Sequence, residues 1–246
     1  MKQFDWQALL VDGYEPLRRA QRIFRRLPHE PRCRLCRTPF GGFGGKVVKV
    51  IGQKPSRKNP TLCQVCFDRL PDGGLELDVG IVFADVRGST GLGAAVSPTT
   101  FAGRLNQFYA SASAALIAHD GLVDKLIGDE VMGLFVPGFA GPDYRRQAVL
   151  AALDLAAAVA DLPVGVAVTA GTAYVGNVGA GAVTDFTALG DAVNVGARLQ
   201  SRAAAGQVVM ASELYPLVAD LHPGGRIEEI AVRGRDEPVS AVVLTP

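Results

Sequence analysis

From residue 79 onward, short apolar runs alternate with longer stretches of helical period, a rhythm missing from the earlier part of the chain. Runs rich in β-branched residues and bounded by turn formers predict strands at Val79–Val86, Gly121–Ile127, Val131–Val136, Val164–Ala170, Ala173–Val178, Val208–Ala211, Ile227–Val232 and Ala241–Leu244. Helices are predicted at 98–119, opened by Ser97 and Pro98, at 143–161, at 191–204 and briefly after Ser212. Long helices interleaved with strands, some of them paired as hairpins, predict an α+β fold with helices packed on a mostly antiparallel sheet.

Before residue 76 the pattern changes. Residues 6–27 set Leu9, Leu10, Leu17, Ile23, Phe24 and Leu27 among arginines, which predicts a basic amphipathic helix broken near Gly13 and Pro16. Such a helix suits a membrane surface, nucleic acid or an acidic partner, and equally arginines that face water or the acidic part of the same chain. The turn formers Pro71-Asp72-Gly73-Gly74 then mark a boundary. Three segments result: a basic helix over 1–30, a four-cysteine module over 31–72, and a domain over 76–246.

Charge sharpens this division. The 246 residues hold 25 Lys+Arg and 24 Asp+Glu, but 15 of the bases and 6 of the acids precede residue 76. At 48% hydrophobic the chain is neither disordered nor collagen-like. No uninterrupted apolar run reaches the roughly 18–20 residues that span a bilayer. The first residues, with Asp5, Asp12 and Glu15, do not read as a signal peptide, so a cytoplasmic protein with no membrane span is expected.

All four cysteines lie in the basic part, as Cys33-Arg-Leu-Cys36 and Cys63-Gln-Val-Cys66. Two residues between cysteines let both sulfurs turn onto one ion, and two such knuckles complete a tetrahedral set of thiolates. In a reducing compartment this favours a structural zinc, with an iron–sulfur cluster as the alternative, since four thiolates serve both. The stretch between the knuckles, rich in glycine (Gly41, Gly42, Gly44, Gly45), reads as a loop with little core of its own, so the metal would supply folding energy. Lys46, Lys49, Lys54, Arg57 and Lys58 leave nucleic-acid binding as a further reading of this part.

Three local sequences in the C-terminal part concentrate chemistry. Phe83-Ala-Asp85-Val-Arg-Gly88-Ser89-Thr90 ends a strand in a carboxylate and a Gly-containing turn. Lys125-Leu-Ile-Gly128-Asp129-Glu130 puts a second carboxylate at a sharp turn between two apolar strands. Asp185-Phe-Thr187-Ala-Leu-Gly190-Asp191-Ala-Val-Asn194-Val-Gly-Ala-Arg198 reads as a turn entering a helix, on which Asn194 and Arg198 share a face. In this order the three resemble the class III nucleotidyl cyclase homology domain, over about 76–246, and the Thr-bearing bacterial adenylate cyclases in particular.

That resemblance implies a ferredoxin-like catalytic core acting as a head-to-tail homodimer, with active sites at the interface. It implies that Asp85 and Asp129 hold two Mg²⁺ or Mn²⁺ ions, which activate the ribose 3′-hydroxyl and neutralise the triphosphate. It places Lys125 and Thr187 at the purine-selecting positions, where a donor and a hydroxyl suit adenine and hence ATP. It also makes Asn194 and Arg198 the transition-state residues and Arg233 a triphosphate ligand, with Arg235 close by. Ser89 stands where many members have Phe, beyond the metal ligands. The expected activity is conversion of ATP to cyclic AMP and pyrophosphate. The alternatives are a guanylate or pyrimidine nucleotide cyclase, a catalytically silent nucleotide-binding sensor, or a protein whose basic N-terminus does the binding.

Overall fold

The computed structural model describes residues 5–12, 32–50, 52–56, 62–159, 162–180, 183–231 and 237–245. Its centre is an eight-stranded sheet: β1 (Gly74–Val86), β2 (Leu122–Ile127), β3 (Glu130–Phe135), β4 (Val164–Ala180), β5 (Val183–Leu189), β6 (Val208–Ala211), β7 (Arg226–Ile230) and β8 (Val239–Leu244). The order is β2-β3-β1-β4-β6-β8-β7, with β5 paired to the distal half of β4. Every pairing is antiparallel except that of β4 with β6. The helices include α1 (Gly42–Val50), α2 (Gln64–Phe67), α3 (Ser89–Ala95), α4 (Pro98–Ala118), α5 (Pro137–Ala140), α6 (Tyr144–Ala158) and α7 (Asp191–Arg202).

β1 is apolar without interruption from Val79 to Ala84, where it is covered on both faces. Val82 and Ala84 join one core with Phe108, Ala112 and Leu116 of α4 and with Ala148, Ala152 and Leu155 of α6. Leu77, Val79, Ile81 and Phe83 point the other way, into a second core with Leu9, Leu10, Leu62 and the four cysteines. α7 lies on that second face so closely that a Cβ at Gly196 would stand 2.7 Å from the Phe83 ring. The N-terminal segment is anchored to the sheet domain by Trp6, whose indole donates to the Asp72 carbonyl at 3.1 Å and whose ring stacks on Phe186. Arg34 adds contacts to Asp120 and to the Ile117 carbonyl.

The expected α+β class and mostly antiparallel sheet are present, with local differences. The strands expected at 164–170 and 173–178 are one, since β1 continues its ladder across Gly171 and Thr172. Residues 185–189, read as a turn, are part of β5, whose pairing with β4 supplies the missing backbone partners. The glycine-rich stretch between the cysteine pairs forms α1, with Gly45 pressed against the Phe40 backbone where no Cβ fits. Of the helix expected over 6–27, residues 6–12 are helical, with a π-helical turn at Ala8–Asp12, and the rest lies outside the described residues.

Phe135 is fully buried opposite Gly80, its ring filling the space that Gly121 leaves open. Phe135→Ala is expected to cost about 3–5 kcal/mol of folding free energy, read as a shift of the urea midpoint. A loss below about 1 kcal/mol would mean that this core is not packed as described.

Candidate active site

The first carboxylate group forms where β1 ends. Gly128, at φ +61°, occupies the first central position of the two-residue turn between Ile127 and Glu130, which a side chain would strain. The Val86 N–H donates to the Asp129 carbonyl at 3.1 Å, bringing that turn against the end of β1. Asp85 and Asp129 are thereby neighbours, with Glu130 opposite Asp85 in the ladder. Burial raises the Asp85 carboxyl above the usual range, and the adjacent Asp129 carboxylate adds to the rise. Glu130 is raised for the same reason, burial first and then Asp85 and Asp129. Arg87 partly relieves this repulsion, donating from Nη1 to Asp85 Oδ2 at 3.2 Å. Gly165 makes room for it, since a Cβ there would sit 2.5 Å from the guanidinium.

A second polar group joins β2 and β5. Lys125 Nζ donates to Asp185 Oδ2 at 2.6 Å and lies 3.8 Å from Asp124 Oδ2. Thr187 Oγ1 donates to that same Asp124 oxygen at 2.9 Å. The Asp124 side chain has no exposed surface, and burial pushes its carboxyl up to about 7 against the pull of Lys125 and Thr187. Lys125 and Thr187, distant in sequence, thus meet at one point through Asp124.

Asn194 and Arg198 occupy the exposed face of α7, as their four-residue spacing predicts. Among the described residues no hydrogen bond or ion pair links either side chain to Asp85 or Asp129. Arg233 and Arg235 lie outside the described residues. Arg87, Glu130, Asp124 and Asp185 were not singled out from sequence as site residues. Asp124 had a signal, a charged residue inside the apolar run Leu122-Val123-Asp124, whereas nothing local distinguishes Asp185.

The four cysteines are buried, and their sulfurs all lie within 4.8 Å of one another. They are not paired as disulfides. The Cys63 amide donates to Cys33 Sγ at 3.2 Å and the Cys66 amide to Cys63 Sγ at 3.4 Å. The Cys36 thiol is pulled down by its neighbours, Cys33 foremost, while the Cys66 thiol is pushed up by the same crowding, again Cys33 foremost. Four thiolates cannot share this space without a cation between them, so the cluster can hold a metal.

A model of the adenylate and guanylate cyclase catalytic domain matches residues 76–245. Among solved structures, the adenylyl cyclase CyaB from P. aeruginosa is 26% identical, with a TM-score of 0.65 over 70% of this chain and 95% of that one. The guanylyl cyclase Cya2 gives a TM-score of 0.64 at 23% identity over 70% and 93% of the two chains, a likeness of fold alone. Among curated proteins, the uncharacterized Mycobacterium tuberculosis protein Rv1318c is 31% identical over 68% of this chain and 32% of its own length. Another from that organism, Rv1320c, is 30% identical over 80% of this chain and 34% of its own. The chain spans about a third of the length of these curated relatives.

The purified chain is expected to carry about one equivalent of metal, lost in a Cys33→Ser/Cys63→Ser variant and measurable by elemental analysis. A metal-free wild type with unchanged melting temperature would contradict it. Asp124 should make stability fall with rising pH. Between about pH 4 and 7 the unfolded chain releases this proton while the folded chain keeps it, a difference of up to about 4 kcal/mol. Urea titrations across that range should therefore show a declining stability that Asp124→Asn flattens, and parallel profiles in the two proteins would refute the assignment.

Proposed function

The chain belongs to the adenylate and guanylate cyclase catalytic domain family over residues 76–245, and from that premise we propose that it converts ATP to 3′,5′-cyclic AMP and pyrophosphate. The observation that carries the choice of base is the convergence of Lys125 and Thr187 at Asp124. An ammonium donates only, which suits the ring nitrogen of adenine, and a hydroxyl can accept from its exocyclic amine.

Asp85 and Asp129 fit divalent ions. They are hard oxygen donors, side by side and mutually repelling, which suits Mg²⁺ or Mn²⁺. Two such ions, when bound, lower the pKa of the ribose 3′-hydroxyl and neutralise charge on the phosphates. The bond from the 3′-oxygen to the α-phosphorus forms as the bond to the β-phosphate oxygen breaks, and the hydroxyl proton leaves to water. Asn194 orients the ribose, and Arg198 places a permanently charged fork on the α-phosphate, where negative charge grows. Arg233 is assigned to the triphosphate.

Asn194 and Arg198 are exposed and, among the described residues, form no hydrogen bond or ion pair with the carboxylate pair of their own chain, which supports completion of the site by a second copy arranged head to tail. Leu126, Ile127 and Leu189, which flank Lys125 and Thr187 along their strands, are exposed apolar side chains that such a copy would cover. The cysteine cluster is assigned a structural zinc, whose thiolates and amide donors match such sites.

Incubation of the purified chain with Mn²⁺ and, separately, ATP, GTP, CTP and UTP tests this reading. Cyclic AMP is expected as the main product, abolished by Asp85→Ala. Cyclic GMP as the main product would overturn the base assignment and keep the chemistry. Absence of any product from a dimeric, metal-loaded preparation would leave a nucleotide-binding domain without turnover.

A further inference from the structure

Thr187 poses a chemical question. A hydroxyl both donates and accepts, so by itself it does not distinguish an exocyclic amine from a carbonyl on a bound base. In this fold its proton already has a destination. Oγ1 donates to Asp124 Oδ2 at 2.9 Å, and the next acceptor in reach, the Ala188 carbonyl, is more distant at 3.4 Å. With that proton directed into the protein, what the hydroxyl presents outward is a lone pair.

Asp124 reaches this position because β2 is irregular. Val123 pairs with Gly133 and Lys125 with the next residue back, Met132, so Asp124 is the extra residue of a bulge. Bulges re-aim side chains beside functional sites, and here the carboxylate turns inward, onto β5. Its side chain is wholly buried, and Oδ1 has no hydrogen-bond partner among the described residues. An apolar side chain at this place in Leu122-Val123-Asp124 would suit the core better, so a carboxylate there calls for a reason beyond folding.

We propose that Asp124 is a specificity-determining positioning residue, holding the Thr187 hydroxyl as an acceptor so that the pocket takes a base bearing an exocyclic amine in preference to a carbonyl. The proposal rests on the nucleotide reading of Lys125 and Thr187. With Lys125 as donor and Thr187 as acceptor, the pair matches the ring nitrogen and amine of adenine and opposes both the N–H and the carbonyl of guanine. Thr187 then performs as a carboxylate would, while the Asp124 side chain, ionised above about pH 7, stays buried behind it.

The test is Asp124→Asn, in which the amide can donate to Thr187 Oγ1 and release the hydroxyl proton toward the base. The ratio of kcat/KM for ATP over GTP should fall by about tenfold or more, the effect of one reversed hydrogen bond. The change should lie in KM, and the value for GTP should rise in absolute terms, which general damage to the fold does not produce. Asp124→Leu, which fits the apolar strand and removes the acceptor altogether, should lose the same discrimination. Adding Thr187→Asp to Asp124→Asn should restore preference for ATP, because a carboxylate again presents an acceptor. Equal losses for both purines in the two single variants would overturn the proposal. Equilibrium dialysis with ATP and GTP separates it from the function it rests on. A wild type that binds ATP over GTP without turnover sinks the cyclase activity and leaves the affinity ratio in Asp124→Asn as the test. A wild type that binds neither purine, or binds both equally, sinks the proposal itself.

Discussion

The pairing of β1 with β4 is the constraint on which the rest of the molecule depends. The ladder runs without a break from Gly74 opposite Gly176 to Val86 opposite Val164. Because opposed residues share a face, this register decides which side chains meet each core and puts Asp85 at the end of the strand beside Gly165. Slipping it by one residue would exchange Phe83 and Ala84 between the two cores and turn Asp85 away from Asp129. The other half of the site hangs on the same strand, because β4 runs past β1 and carries β5, and with it Thr187, toward Lys125.

What could be read from sequence follows from how local each signal was. Helices α4, α6 and α7 announce themselves by period and by caps such as Ser97, whose hydroxyl accepts from the Thr100 amide as expected. The first and second motifs sit at a strand end and in a tight turn, so Asp85 and Asp129 were legible as a pair once β1 and β3 were expected to be adjacent. β5 was not legible. Its residues include Asp185, Thr187 and a glycine-bounded end that mimic a turn, and only the partner strand β4 makes them extended. Asp124 was passed over for a related reason, since a register shift in β2, invisible in the residue pattern, decides whether that carboxylate faces water or the core.

The N-terminal part shows the same dependence on distant partners. Leu9, Leu10 and Leu62 bury themselves against β1, and the cysteines share that core with Ile81 and Phe83. Burial is tolerable for four sulfurs because thiols are weakly polar, and backbone amides already satisfy two of them. Trp6 also stacks on Phe186, the immediate neighbour of Thr187. The metal-capable cluster and β5 thus belong to one packed body, which no reading of three successive segments would have joined.

Electrostatics gives the last step. At the end of β1, burial and the neighbouring Asp129 carboxylate raise the cost of ionising Asp85 and Glu130, with Arg87 as a partial counterweight. On α7, Arg198 and Arg202 stand exposed. A single chain therefore presents an under-neutralised acidic group in one place and exposed guanidinium groups in another. In the proposed head-to-tail pair each acidic group would face the partner's α7, two surfaces of opposite sign between which a polyanionic nucleotide would sit with its divalent ions toward the carboxylates and its phosphates toward the guanidinium groups. The carboxylates would repel a triphosphate without the ions, whereas the guanidinium groups would be drawn both to the carboxylates and to the triphosphate. In that arrangement substrate and metal would belong to the interface, so that completing the site and binding the nucleotide would be coupled.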